Sequence, residues 1–329
     1  MGIKKKMVTL LAVILILSTA LIGCQSQEVS KTYTPDSTIN WTVTSSPGGG
    51  SDIFTRMISD IMTTEKIADG TIVVTNKTDG GGEVGRNDVA HLQGNKANNT
   101  LLTFNSGDLM PMVKNTKNRS SNFRILAIMA VDKQLIFKGK NTKYNDFKEA
   151  IEAAKNGGTV IIGGSKGDDI ATYEAMLEEI GVSKDNMKYI TYDSTGDAIT
   201  AALGDHVEFV ISKPAAASQY VEAGTLIPVL ALATERYTGN LAGAPTLSEI
   251  GDYENVEIPV WRGIAAPAAM SDEAVAFWSE ALGKVAETQK WKNDYIDKNK
   301  LVPDYKDTVK ATEYVTQYEK DYMEANGIK

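Results

Sequence analysis

The sequence predicts an α/β protein of two domains built on mostly parallel sheets. Three observations carry this expectation. From Ile39 onward, short β-branched runs alternate with longer amphipathic ones, the order that lays helices on the faces of a parallel sheet. The chain has 329 residues, enough for two domains at roughly 100–200 residues each. Glycine-rich or small-residue loops recur where a strand-like run gives way to a helix-like one, and open α/β sheets bind ligands at those places.

Taken in order, INWTVTS, TIVVTN, TLLTFN and FRILAIMAV are rich in Val, Ile, Thr, Phe and Leu and read as strands. Between them, SDIFTRMISDIMTT places Ile53, Met57, Ile58, Ile61 and Met62 on one helical face. EVGRNDVAHL does the same with Val84, Val89 and Leu92. The alternation then repeats: a helix over 144–155, strand TVIIG, helix DIATYEAMLEEIG stopped by Gly181, and strand MKYITY. TGDAITAALG, HVEFVI, PAAASQYVEAG and LIPVLALAT continue it. Beyond Pro245 helix dominates, in AVAFWSEALGKVAETQKW and VKATEYVTQYEKDYMEA, expected to pack back on one domain. Tyr314, Tyr318 and Tyr322 recur every four residues there and read as a packing stripe.

The N-terminus has the grammar of an export signal, with Lys4, Lys5 and Lys6 ahead of the apolar run MVTLLAVILILSTALI. The run ends in Leu21-Ile22-Gly23-Cys24, similar to the lipobox of bacterial lipoproteins, where cleavage precedes a lipidated cysteine. The expectation is a signal peptide over 1–23, a lipid on Cys24 and a polar tether over 24–35. A retained membrane anchor is the alternative, because the run falls near the minimum length for spanning a bilayer. Cys24 is the single cysteine, which excludes an intramolecular disulfide, a thiolate metal cluster and a Cys-His dyad. The formal charge is -8, and the mature chain loses three lysines more. That balance argues against nucleic acid, yet a small anion can still bind backbone amides at a helix start.

The first loop of interest is Pro47-Gly48-Gly49-Gly50-Ser51-Asp52, directly before a helix, with Ser51 or Asp52 as its N-cap. Successive glycines let backbone approach a ligand without Cβ clashes. The second, Asp79 to Gly85, contains Gly80, Gly81 and Gly82; Gly80, Gly82 and Gly85 satisfy G-x-G-x-x-G, a weak dinucleotide match in an exported chain. Ser106 follows the strand TLLTFN. Further on, Ser165, Lys166, Asp168 and Asp169, then Asp193, Thr195 and Gly196, then Ser212 lie at strand exits. Taken singly, Asp169, Thr195 and Ser212 are ordinary N-caps.

INWTVTSSPGGGSDIFTRMI, TIVVTNKTDGGGEVGRNDVAHL, YITYDSTGDAITAALGDHVEFVISKPAAASQYVEAGTLIPVLALATERY, GAPTLSEIG and WRGIAAP occur in that order. Together they resemble the extracytoplasmic receptors of tripartite tricarboxylate transporters, the Bug family, over nearly the whole mature chain. The resemblance implies a periplasmic-binding-protein-like, Venus flytrap fold with discontinuous domains, 36–131 with 234–329 and 132–233. It implies capture of a small carboxylate-bearing metabolite, a di- or tricarboxylate or an amino acid, for integral-membrane permease subunits. It further implies a monomeric protein of the cell envelope, with no catalysis, cofactor or metal. Carried over by position, Gly48, Gly49, Gly50, Ser51, Gly80, Gly81 and Gly82 would hold the carboxylate. Ser165 to Asp169, Asp193 to Gly196 and Ser212 would select the rest of the ligand, with Asp52 and Ser106 beside them.

Two positions depart from the family pattern. Asp168-Asp169 stands where many relatives carry small hydroxyl residues and a histidine, and it would repel a di- or tricarboxylate but accept hydrogen bonds from an amine. Arg262 stands where many relatives have an aromatic residue, and it is either a carboxylate clamp or a surface residue. A sensory receptor for a membrane signalling protein would carry the same sequence features. A lipid-tethered hydrolase is the remaining alternative. His91 and His206 are the only histidines, and neither lies in a nucleophile elbow or at zinc-ligand spacing.

Overall fold

The computed structural model describes residues 33–329; the signal segment, Cys24 and the tether through residue 32 lie outside the described residues. The chain first lays down β1 (Thr38–Val43), β2 (Thr71–Asn76), β3 (Thr100–Asn105) and β4 (Phe123–Asp132). It then passes through a single residue, Lys133, into β5 (Gln134–Gly139), β6 (Val160–Gly164), β7 (Met187–Thr191), β8 (Phe209–Ser212) and β9 (Leu226–Leu232). It returns with β10 (Val260–Pro267) and β11 (Val302–Lys306). Two sheets result, one ordered β11-β4-β10-β3-β1-β2 and the other β7-β6-β8-β5-β9.

Helices of eight or more residues connect the strands: α1 (Gly50–Thr64), α2 (Glu83–Ala90), α3 (Ser106–Asn115), α4 (Phe147–Lys155) and α5 (Asp168–Ile180). They continue with α6 (Thr195–Leu203), α7 (Pro214–Glu222), α8 (Asp272–Glu287) and α9 (Thr308–Ala325). Helix α5 ends at Gly181, whose φ of 65° is the left-handed conformation that stops a helix without steric cost. The expected helices and the α/β layering are therefore present.

The sheets are less uniformly parallel than the alternation implied. β10 runs antiparallel between β3 and β4, with Arg262 opposite Asn105 and Ala130, and β5 runs antiparallel between β8 and β9. Every residue of β10 is buried, so VWRGIAAP shows no period-two alternation and gave no strand signal of its own. QLIFKG was likewise not read as a strand, because it follows β4 with no turn residue to separate the two runs.

Each sheet has its own apolar core. Phe104, Trp261, Ile128 and Val315 belong to the first, and the tyrosine stripe of α9 covers it, with Tyr318 edge-on to Trp261 at 5.9 Å. The second sheet is covered on both faces, by α4 and α5 on one side (Phe147, Tyr173, Met176) and by α6 and α7 on the other (Ile199, Ala202, Ala216). Among the described residues, no helix is long and apolar enough to cross a membrane.

Candidate functional site

Five helix starts converge between the two sheets: those of α1 and α3 from the first, and of α5, α6 and α7 from the second. Between them lies a cavity of ≈ 50 Å³. That is room for a few waters, since one needs about 10–15 Å³. Thr44, Ser45, Gly50, Ser51, Asn105, Gly107 and Asp108 line it from the first sheet, with Val260 and Arg262 of β10. Ser165, Lys166, Asp168, Asp193, Ser194, Thr195 and Lys213 line it from the second. The first-turn amides of a helix have no partner within it and carry its positive dipole end, so this arrangement favours an anion.

The walls touch directly. Ser46 Oγ donates to Asp197 Oδ2 at 2.8 Å across the gap. A Cβ on Gly49 would stand 3.1 Å from Ser194 Cβ, and one on Gly167 would fall inside the backbone of Gly107. Glycine at these positions is what lets the two sides approach so closely.

Of the expected contact residues, Gly50, Ser51, Ser165, Lys166, Asp168, Asp193, Thr195 and Arg262 line the cavity. The others do not. Gly48 N–H is already donated to Asp52 Oδ2 at 2.9 Å, and Gly49 N–H to Ser46 O at 3.1 Å. Asp52 is held by Arg56 and Asn76 as well; these partners outweigh the upward push of burial and keep its carboxyl below the usual range. Helix α1 begins two or three residues earlier than a Ser51 or Asp52 cap would place it, with Gly49 as N-cap.

Gly80, Gly81 and Gly82 form a left-handed turn behind the cavity wall, with φ of 59°, 69° and 84°. Arg86, fully buried, pins this turn: Nη2 donates to Gly81 O at 2.9 Å and to Glu83 at 2.7 Å, and Nη1 donates to Asp108 Oδ1 at 2.6 Å. Ser106 is buried one residue from the lining, and Gly196 abuts Gly48 O. Ser212 Oγ turns inward to Lys213 O. The caps also sit one or two residues from where the sequence put them: Gly167 rather than Asp169 caps α5, and Ser194 rather than Thr195 caps α6, accepting from Asp197 N at 3.1 Å. Lys213 rather than Ser212 precedes α7.

The acidic pair does not stand open to an amine. Lys213, absent from the expected contact set, is 5% exposed and forms ion pairs with both Asp168 and Asp169. Asp169 Oδ2 accepts Ser165 N–H and Oγ–H at 2.7 Å each, which fixes the loop that carries Lys166. Burial disfavours the charge on Lys213, but the two carboxylates outweigh it and hold its pKa above the ordinary value. Burial likewise pushes Asp168 up to about 6, with Lys213 opposing and Asp169 adding to the rise.

Arg262 faces inward, 3% exposed. Its Nε and Nη2 both donate to Asp132 Oδ2, at 3.0 and 2.6 Å. Its guanidinium lies against Gly50, where a Cβ would come within 3.0 Å of Nη2. Lys166 Nζ is buried and has no hydrogen-bond partner among the described residues. Burial pulls its pKa below the ordinary lysine value, and Arg86 adds to that fall. His91 and His206 are both exposed, and no cluster among the described residues could hold a metal ion.

Solved structures share this architecture. That of the periplasmic binding protein BugD matches with a TM-score of 0.76 at 20% identity, over 90% of this chain and 99% of that one. MatC from Rhodopseudomonas palustris with bound malate gives 0.73 at 17%, over 87% and 98%. An R. palustris protein with adipate gives 0.71 at 16%, over 88% and 97%. At such identities the likeness shows the fold, that of two-domain periplasmic binding proteins. No curated protein sequence matches the chain. Residues 55–322 do match the receptors of tripartite tricarboxylate transporters, and that match, over most of the chain, makes this protein a member of the tripartite tricarboxylate transporter receptor family.

Proposed function

We propose that this receptor binds a small carboxylate-bearing metabolite in the cavity between its sheets and delivers it to the family's membrane permease. The carrying observation is Lys166 Nζ, buried without a hydrogen-bond partner among the described residues, across the same cavity from Arg262, whose hydrogen bonds to Asp132 use Nε and Nη2. A buried ammonium without a partner is costly, and a ligand carboxylate is the group that would relieve it. Gly50 and Ser51 amides at the start of α1 complete the anion site. The similar proteins holding malate and adipate support this ligand chemistry.

The division into 36–131 with 234–329 and 132–233 fits the two crossings between sheets, at Lys133 and after β9. In this reading the lobes hinge at those crossings, and the small cavity belongs to a closed form that the ligand favours.

A thermal-shift panel of malate, adipate, citrate, aspartate and a neutral sugar tests the reading. A ligand at a hundred times its Kd adds about 2.7 kcal/mol, so a carboxylate should raise Tm and the sugar should not. Stabilisation by the sugar alone would overturn the assignment. Lys166→Met is expected to lower carboxylate affinity by about 10–100-fold, the value of one charge-assisted hydrogen bond. It should leave the Tm of the free protein unchanged or raised, because an unpartnered cation is removed. A fall in Tm with affinity intact would make Lys166 a structural residue.

The export signal and lipobox-like run support a lipid anchor at Cys24. Metabolic labelling with a tagged fatty acid is expected to mark the wild-type protein and not Cys24→Ser, and an unlabelled wild-type protein would refute the lipid anchor.

A further inference from the structure

We propose that carboxylate binding is coupled to the uptake of one proton by Asp168. The inference rests on the carboxylate reading above and begins from a charge count. Beneath the cavity, Asp132, Asp168 and Asp169 share two cations, Lys213 and Arg262, and none of the five residues is more than 5% exposed. Lys213 serves Asp168 and Asp169, and Arg262 serves Asp132. With every group ionised, the cluster holds one negative charge in excess, out of water, which is strongly unfavourable.

No other cation among the described residues relieves it. Arg86 is committed to Asp108 and Glu83. Lys166 is held electrostatically by Asp108, Asp193 and Glu83. Tyr189 from β7 and Tyr318 from α9 also face Asp168, but burial pushes both phenols upward, so they stay neutral. Gln134 donates to the Asp168 backbone carbonyl at 3.3 Å, not to its carboxylate.

Asp168 is the member placed to take the proton. It alone of the three carboxylates lines the cavity. Asp169 Oδ2 is occupied by two Ser165 donors and Asp132 Oδ2 by Arg262. Asp168 Oδ1 lies so close to Gly107 that not even a Cβ fits there. A proton adds almost no volume at that crowded oxygen.

An incoming carboxylate adds a second negative charge at the same wall. The ligand remains ionised, one proton enters from solvent, and it resides on the Asp168 carboxyl. Burial already pushes Asp168 upward with the cavity closed, and the ligand's charge raises it further in the complex. Below its pKa in the unliganded protein the group is protonated with or without ligand, and affinity is flat. Above it, affinity falls as pH rises, by up to about tenfold per pH unit, until the pKa of the complex is passed.

Calorimetric titration of the protein with malate and with adipate at pH 7, in HEPES and in Tris, reads the proton directly. The two buffers differ in ionisation heat, so the observed enthalpies should differ by an amount approaching one proton per ligand. Asp168→Asn, which mimics the protonated acid, should bind with equal heats in both buffers and lose the pH dependence of Kd. Equal heats for the wild-type protein overturn the proposal, as does uptake that persists in the Asn variant. Preference for aspartate without uptake overturns it too, since the ligand's ammonium would then supply the balancing charge. Should the variant fail to fold, a pH-independent wild-type Kd between pH 6 and 8 is equally decisive against it. Absence of binding heat for every carboxylate, by contrast, removes the ligand assignment on which the coupling stands.

Discussion

Gly107→Ala is expected to weaken ligand binding by about a hundredfold or more while leaving the fold intact. Gly107 is the second residue of α3, and its φ is not among the positive ones, so alanine suits the backbone. Helix propensity alone would favour alanine by up to about 1 kcal/mol. The obstacle is across the cavity. The new Cβ would lie far inside contact distance of Asp168 Oδ1 and 3.1 Å from Asn105 Oδ1. Asp168 cannot retreat, because Lys213 holds its other oxygen. Parting the lobes removes the overlap without disturbing either core, so the variant should rest open. Equilibrium titration with malate or adipate, alongside the radius of gyration from solution scattering, measures both halves of the claim. Unchanged affinity would mean that the approach of Gly107 to Gly167 is not part of the bound form.

This contact illustrates what the sequence could and could not disclose. Strand-to-helix loops were legible, because glycine and small polar residues at strand exits have local physical causes. Gly50, Ser51, Ser165, Lys166 and Thr195 were therefore named, and they line one cavity. Gly107 was not, since its need for glycine comes from a residue 61 positions later in the chain, touched only through folding. Arg86 reads as an ordinary helical arginine, yet it is fully buried and ties the second glycine turn to Asp108. Asp168 and Asp169 looked like free acids because their cation, Lys213, follows a different strand. The reversed strand β10 escaped for a related reason: buried on both faces, it carries no alternation to betray it. Local chemistry was visible, and pairings across the cavity were not.

The second large effect concerns that hidden cation. Lys213→Met retains the length and apolar stem of the side chain but deletes the charge between two buried carboxylates. Removing one partner of a buried ion pair typically costs about 3–5 kcal/mol, because the other charge stays unpaired out of water. Here two acids lose the same partner, so the upper part of that range is expected, with Tm lower by on the order of 10 °C. One of the two carboxylates should respond by holding a proton, since adjacent buried acids cannot both remain ionised. The destabilisation should therefore shrink as pH falls. Adding Asp168→Asn and Asp169→Asn to Lys213→Met should restore much of the loss, because an apolar or neutral cluster need not desolvate any charge. Urea unfolding of the single and triple variants at pH 5 and 8 checks this. A single variant as stable as the wild type at pH 8 would mean that water reaches the pair and screens it. A triple variant no better than the single would place the value of Lys213 in packing, with its charge incidental.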